Sequence, residues 1–201
     1  MISADAIREG LVTGEFFLEY LPTVSLADGR CVGAEALTRW RRSSGVVQPD
    51  DFIPVIEGTY LSGMLTYWVL ETVAKELGDW LRVHKELDIS INVPPEIIGR
   101  GGLEYAAQKT GLSEIRNQLI LEITERGIPD NLGVAALQAA SRSGVRIALD
   151  DVTLTGTNLG PWAGVAPSGL AVSLEVLILF PWDPVTQRFT GERIWFDRGT
   201  V

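Results

Sequence analysis

Short apolar runs that stop at oxygen-bearing side chains recur along this chain, separated by longer stretches of helical spacing. The plainest is residues 145–151 (VRIALDD), in which four of the first five residues are apolar and two adjacent carboxylates, Asp150 and Asp151, follow. Residues 30–37 (RCVGAEAL) deliver Glu35, residues 88–93 (DISINV) deliver Asn92, and residues 118–125 (QLILEITE) deliver Glu122 and Glu125. Runs this short and this rich in Val, Ile and Leu read as buried strands, most naturally of a parallel sheet. Charge is costly inside such a core, so the oxygen-bearing residues are expected where each strand emerges. Alternation places Glu122 and Thr124 on one face of their strand and Ile123 and Glu125 on the other.

The intervening stretches carry the helical pattern. Residues 3–10 predict one or two helical turns, and Pro49-Asp50-Asp51 predicts a helix start. Leu65, Trp68, Val69, Thr72, Val73 and Leu77 give residues 61–81 the period of one long helix, whose aromatic residues are core. Residues 96–108 predict a helix broken at Gly111-Leu112, and residues 132–141 an Ala-rich helix stopped near Gly144. Near the start, residues 16–25 are extended in character, Asp28-Gly29 forms a turn and residues 30–37 return as a strand, a hairpin-like entry. Up to Asp151 the chain therefore alternates strands with helices, the pattern of an α/β fold built from βα units. Beyond it the pattern changes. Residues 160–169 (GPWAGVAPSG) read as a turn-rich linker, and two strand-like runs, residues 170–180 and 188–197, read as a β-hairpin. The expected organisation is a domain over 1–159, a linker over 160–169 and a hairpin tail over 170–201.

Composition narrows the function. With 201 residues, 46% of them hydrophobic, the chain can bury a proper core as one domain. A net charge of −9 argues against a nucleic-acid polymer or an anionic membrane surface as partner. A small anion held by local Arg residues and a metal stays compatible. Cys31 is the sole cysteine, so no internal disulfide forms, and His84, the sole histidine, sits in a charged stretch (RVHKELD) that reads as surface. The polar start and the lack of any apolar run near ~18 residues predict a soluble, cytoplasmic protein with no membrane partner.

In α/β folds the carboxyl ends of strands are where ligands and metals bind. Two carboxylates as close as Asp150 and Asp151 repel unless a cation lies between them or one is protonated. Standing alone, the pair reads as a solvated turn. Together, Glu35, Asn92, Glu122 and Asp150 form an all-oxygen set suited to Mg²⁺ or Mn²⁺, each on its own strand. Spacing by itself does not separate this set from carboxylates that cap helices.

Residues 35–40 (EALTRW), 52–57 (FIPVIE), 90–98 (SINVPPEII), 121–125 (LEITE) and 147–151 (IALDD) resemble, in order, the successive motifs of the EAL-domain cyclic di-GMP phosphodiesterases. The resemblance covers roughly residues 15–159. It implies a TIM-barrel-like fold whose first strand is antiparallel to its neighbours, and divalent-metal-dependent hydrolysis of cyclic di-GMP in bacterial signalling. It implies a first metal held by Glu35, Asn92, Glu122 and Asp150, with Asp151 belonging to a second. Glu35 and Asp151 are the implied catalytic residues. Arg39 is the implied contact to the dinucleotide phosphate, with Leu37 also at the substrate. Tyr20 and Leu21 fall where the family's first strand borders the pocket, although Tyr20 is more often simply core. Arg41 and Arg42 read as solvated.

The second half departs from the family. Its Gly-rich loop, close to DDFGTGYSSL, is DDVTLTGTNL here, with Thr153 and Thr155 at two glycine positions. Thr is poor wherever φ must be positive, so another path is expected. No lysine follows Lys109, so the family's Lys-x-Asp motif is missing, as are its later Glu and Gln. The tail, LEVLILFPWDPVTQRFTGERIWFDRGT, resembles the last strands of the polyketide-cyclase-like (SnoaL-like) family, which implies a composite or truncated chain; a diverged EAL tail is the other origin. A full barrel of this type needs ~250 residues, so an incomplete barrel is expected. Hydrolysis is accordingly expected to be impaired. The alternative is a non-catalytic module that binds cyclic di-GMP or a protein partner. The unpaired edges of an incomplete barrel also open a route to a homodimer.

Overall fold

The computed structural model describes residues 2–25, 28–123 and 131–157, together with 171–179, 182–183, 188–189 and 193–196; at 131–134, at 141 and from 149 onward the description is of backbone alone. Helix α1 (Ala4–Thr13) starts at Ser3, whose hydroxyl accepts from the Ala6 amide at 3.2 Å, and ends at Gly14, whose φ of 75° suits glycine. Strand β1 (Phe16–Val24) and β2 (Cys31–Arg42) form the expected antiparallel entry, and β3 (Gly45–Val47) folds back on the end of β2. Helix α2 (Pro49–Ile56) opens with proline in its first turn, where no amide is needed. Helix α3 (Tyr60–Val83) is the long helix read from the periodicity, with Thr59 accepting from the Leu61 amide as its cap.

Three parallel steps follow. Strand β4 (Asp88–Val93) pairs with β2, β5 (Leu119–Ile123) with β4, and β6 (Arg146–Thr157) with β5. Helix α4 (Gly102–Thr110) lies between β4 and β5 in the chain, and α5 (Asn131–Arg142) between β5 and β6. The helix expected over 96–108 is divided. A 3-10 turn at Pro95–Ile97 is followed by Gly99 and Gly101, both at φ 80°, so the helix starts only at Gly102.

Strand β6 also differs from expectation. It does not end at the Asp150-Asp151 pair but continues to Thr157, antiparallel to β7 (Ala171–Leu179), with a register shift between Leu149 and Val152. The β-branched residues of VTLTGT favour extended backbone where the glycines of the family loop would turn. Strands β8 (Trp182–Asp183) and β9 (Arg188–Phe189) pair with each other, and β10 (Arg193–Phe196) pairs antiparallel with β7. The two runs of the predicted hairpin are thus paired, and β7 also extends the main sheet. Among the described residues the sheet runs β1-β2-β4-β5-β6-β7-β10 and does not close on itself.

The helices cover one face. Ile89, Ile91, Val93, Leu119 and Ile123 pack there against Val69, Leu70 and Val73 of α3. A second cluster gathers Ile7, Phe16, Trp40, Phe52, Ile56, Leu61 and Leu65, with Trp68 packed against both. Phe16 stacks on Trp40 at 5.3 Å between ring centroids, and Phe52 meets both edge-on. The indole of Trp40 donates to Glu15 at 2.9 Å, so the ring is buried with its polar atom satisfied. Behind α3, the buried Gln118 amide donates to the carbonyls of Leu81, His84 and Leu87, fixing the helix end to the start of β4.

Candidate functional site

Alternation along the strands divides the residues between two faces. On β2, Ala34, Ala36 and Trp40 pack toward the helices, so Gly33, Glu35, Leu37 and Arg39 lie on the opposite, inner face. On β4 the same division leaves Asp88, Ser90 and Asn92 inside, and on β5 it leaves Ile120 and Glu122. The parallel register then sets the row. Glu35 lies opposite Ser90, Asn92 opposite Glu122, and Glu122 opposite Ala148. The Asn92 amide Nδ2 donates to Glu35 Oε1 at 2.8 Å. Glu122 is 2% exposed. Three of the predicted ligands therefore come together on adjacent strands, Asn92 and Glu122 near the carboxyl ends of β4 and β5 and Glu35 midway along the longer β2.

Asp150 and Asp151 lie in the backbone of β6 immediately beyond Leu149, the partner of Ile123 on β5, where the register with β7 shifts. Glu125 and Thr124 lie outside the described residues, as does the linker at 160–169. The donor set suits a hard divalent cation, since Glu35, Asn92 and Glu122 offer carboxylate and amide oxygens and no sulfur or imidazole. Among the described residues no three His, Cys, Asp or Glu side chains form a group able to hold a metal, so the set depends on the Asn92 amide and on the β6 aspartates.

Beside this row lies a basic group. Arg39 is 14% exposed; its Nε donates to Glu19 Oε2 at 2.7 Å and its Nη1 to the Thr38 carbonyl at 3.1 Å. The β1–β2 register puts Phe17 opposite Arg39, Glu19 opposite Leu37 and Leu21 opposite Glu35, all on the inner face. Leu37 thus lies between the guanidinium and the Glu35 position. Arg41 is exposed, as expected, with its guanidinium 4.5 Å from the centroid of the Phe17 ring. Arg42, read as solvated, instead covers Trp40 at 4.5 Å and approaches Glu15 at 3.7 Å, because its alkyl stem and planar head pack on the indole. Tyr20 points to the helices, not the site. Its hydroxyl donates to Glu76 at 2.7 Å, and burial beside that carboxylate holds the phenol well above its ordinary pKa.

Two features escape sequence reading. One is Glu19, which a strict period of two along β1 could have placed across from Leu37. The other is at the amino end of the strands, where Arg146 Nη1 donates to Asp88 Oδ2 at 2.8 Å and Nη2 lies against Asp88 Oδ1. This pair crosses β5, since Arg146 is in register with Ile120 and Asp88 lies one residue before Ile89, the partner of Leu119.

The sequence profile of the EAL domain matches residues 4–188. The probable cyclic di-GMP phosphodiesterase PdeB of Escherichia coli K12 is 34% identical over 149 residues, 72% of this chain and 29% of PdeB. The uncharacterized protein Rv1357c of Mycobacterium tuberculosis H37Rv is 38% identical over 154 residues, 73% of this chain and 50% of that protein. This chain thus spans half or less of the length of these relatives. The solved structure of PaMucR phosphodiesterase in complex with c-di-GMP superposes with a TM-score of 0.63 at 29% identity, covering 71% of this chain and 60% of that one. The likeness bears out the α/β, TIM-barrel-like architecture, and the open sheet agrees with an incomplete barrel.

Proposed function

This chain belongs to the EAL-domain family, and from that premise we propose that it binds cyclic di-GMP through Arg39 beside a divalent-cation site, with hydrolysis impaired. The observation that carries the reading is the row Glu35–Asn92–Glu122, tied by the 2.8 Å Asn92–Glu35 hydrogen bond. Glu35, Asn92, Glu122 and Asp150 are the residues to hold Mg²⁺ or Mn²⁺. Bound there, such an ion polarises a phosphoryl oxygen and lowers the pKa of a water. Asn92 keeps the Glu35 carboxylate oriented, Arg39 binds the phosphodiester as a planar fork, and Leu37 offers apolar contact between them. Asp151 is the candidate for a second ion. The complex of PaMucR phosphodiesterase with c-di-GMP supports the ligand class.

Impairment rests on what surrounds Asp151. A lysine to place the attacking water is missing beyond Lys109, and residues 152–157 form strand where the family has a Gly-rich loop. Losing such a positioned group costs about 10²-fold or more. The EAL match extends past β7 to residue 188, which favours a diverged EAL tail over a SnoaL-like origin. The setting is bacterial signalling in the cytoplasm; among the described residues no helix is long and apolar enough to cross a membrane. The end strands β1 and β10 suit pairing with a second copy as a homodimer, which sedimentation reads directly.

The test is calorimetry with cyclic di-GMP, with and without Mn²⁺, followed by chromatography for linear dinucleotide. Binding is expected, and Arg39→Ala should weaken it by about 1.5–3 kcal/mol, the range for a hydrogen bond to a charged group. Equal affinity in the variant removes Arg39 from the site. Steady turnover abolished by Glu35→Ala shows a working second metal site and overturns the impairment.

A further inference from the structure

Glu19 stands where an anion bound at Arg39 would have to come. We propose that its carboxylate competes with the phosphodiester for the Arg39 guanidinium and thereby sets the affinity of the site; this rests on the reading of Arg39 as the phosphate contact. The guanidinium is a flat fork whose neighbouring N–H groups grip two oxygens at once. Glu19 already takes Nε, and the Thr38 carbonyl takes Nη1. A bidentate approach along the Nε edge therefore requires Glu19 to leave.

Glu19 can leave cheaply. Its side chain is 55% exposed whereas Arg39 is 14% exposed, so the carboxylate is hydrated and the guanidinium is the fixed member of the pair. Its cross-strand neighbour, Leu37, offers it no charge. A negative group at that place also repels an incoming phosphodiester, on a chain whose net charge is already −9. Glu19 thus raises the threshold for anions that bind weakly and yields to a ligand with further contacts along the Leu37–Glu35 face.

Two substitutions separate competition from simple positioning. Glu19→Gln keeps an oxygen that accepts from Arg39 Nε and removes the charge; Glu19→Ala removes both. Calorimetry with cyclic di-GMP at low and high salt compares the parent, both variants and Arg39→Ala. Glu19→Gln is expected to bind roughly twofold to fivefold tighter than the parent at low salt, the yield of one exposed ion pair, with the gain shrinking as salt screens it. Unchanged or weaker binding by Glu19→Gln overturns the proposal, and weaker binding by both variants makes Glu19 a positioning residue. Failure of the underlying reading looks different: the parent does not bind, or Arg39→Ala binds as the parent does.

Discussion

The two ends of the sheet's inner face carry opposite electrostatic arrangements on the same strands. At the amino end, Asp88 of β4 and Arg146 of β6 neutralise one another across β5. Toward the carboxyl end, Asn92 of the same β4 bonds Glu35 and lies in register with Glu122. Four residues along β4 separate a charge matched within the fold from a row that gathers oxygen donors. The backbone at the amino end is also tight: a Cβ at Gly33 would come within 2.6 Å of the Asp88 carbonyl. In barrels of this kind the amino end serves stability and the carboxyl end serves ligands, and the proposed site would lie at the end that rule assigns to ligands.

The largest expected effect tests the carboxyl end. At a hundredfold excess over its Kd, Mn²⁺ should stabilise the protein by about 2.7 kcal/mol, roughly a 5–10 °C rise in Tm. Asp150→Ala should abolish that rise. Thermal unfolding with and without Mn²⁺ reads both, and a full rise in the variant takes Asp150 out of the site.

A smaller effect tests the amino end. Arg146→Met leaves Asp88 half-buried without its counter-charge and should cost about 1–3 kcal/mol by urea unfolding, between the values for an exposed ion pair and a charged hydrogen bond. The Mn²⁺ increment should survive unchanged, because the pair lies away from the row proposed to hold the metal. Loss of the increment along with stability would show that the two ends are coupled.

The smallest effect concerns the outer face and sharpens the contrast by removing the site from it. The Tyr20 phenol, desolvated and bonded to Glu76, is protonated in the folded state well above its ordinary value. A pKa raised on folding contributes stability that is fully present below the unfolded value of ~10 and is lost as pH rises above it. Tyr20→Phe should therefore be less stable than the parent at neutral pH, and the gap should narrow above pH ~10, as stability curves at several pH values would show. A change in cyclic di-GMP affinity would contradict the placement of Tyr20 on the helix side.

Much of this is legible in the sequence. Period-two runs ending in Glu35, Asn92 and Glu122, and period-3.6 runs between them, are local properties of the chain, since pleat and helix pitch decide which side chains share a face. Strand existence, the long helix α3 and the sharing of one face by Glu35, Asn92 and Glu122 followed from that. Gly99 and Gly101 marked a break in the helix expected over 96–108, but glycine within a helical pattern is ambiguous until its φ is known. The extension of β6 to Thr157 was not legible, because a strand edge is settled by the partner that reaches it, here β7.

The sequence by itself determined the alternation of apolar and polar positions, and so which oxygens come to one face at one end of the strands. Only the tertiary structure decided which charges meet. Asp88 and Arg146 lie far apart in the chain and on strands that are not neighbours, and Arg39 and Glu19 sit on opposite arms of a hairpin. Pairing of this kind depends on register and on the reach of long side chains across a strand. Neither quantity is written in the local pattern, because Coulombic attraction acts through space, whereas the periodicity is a property of the backbone alone.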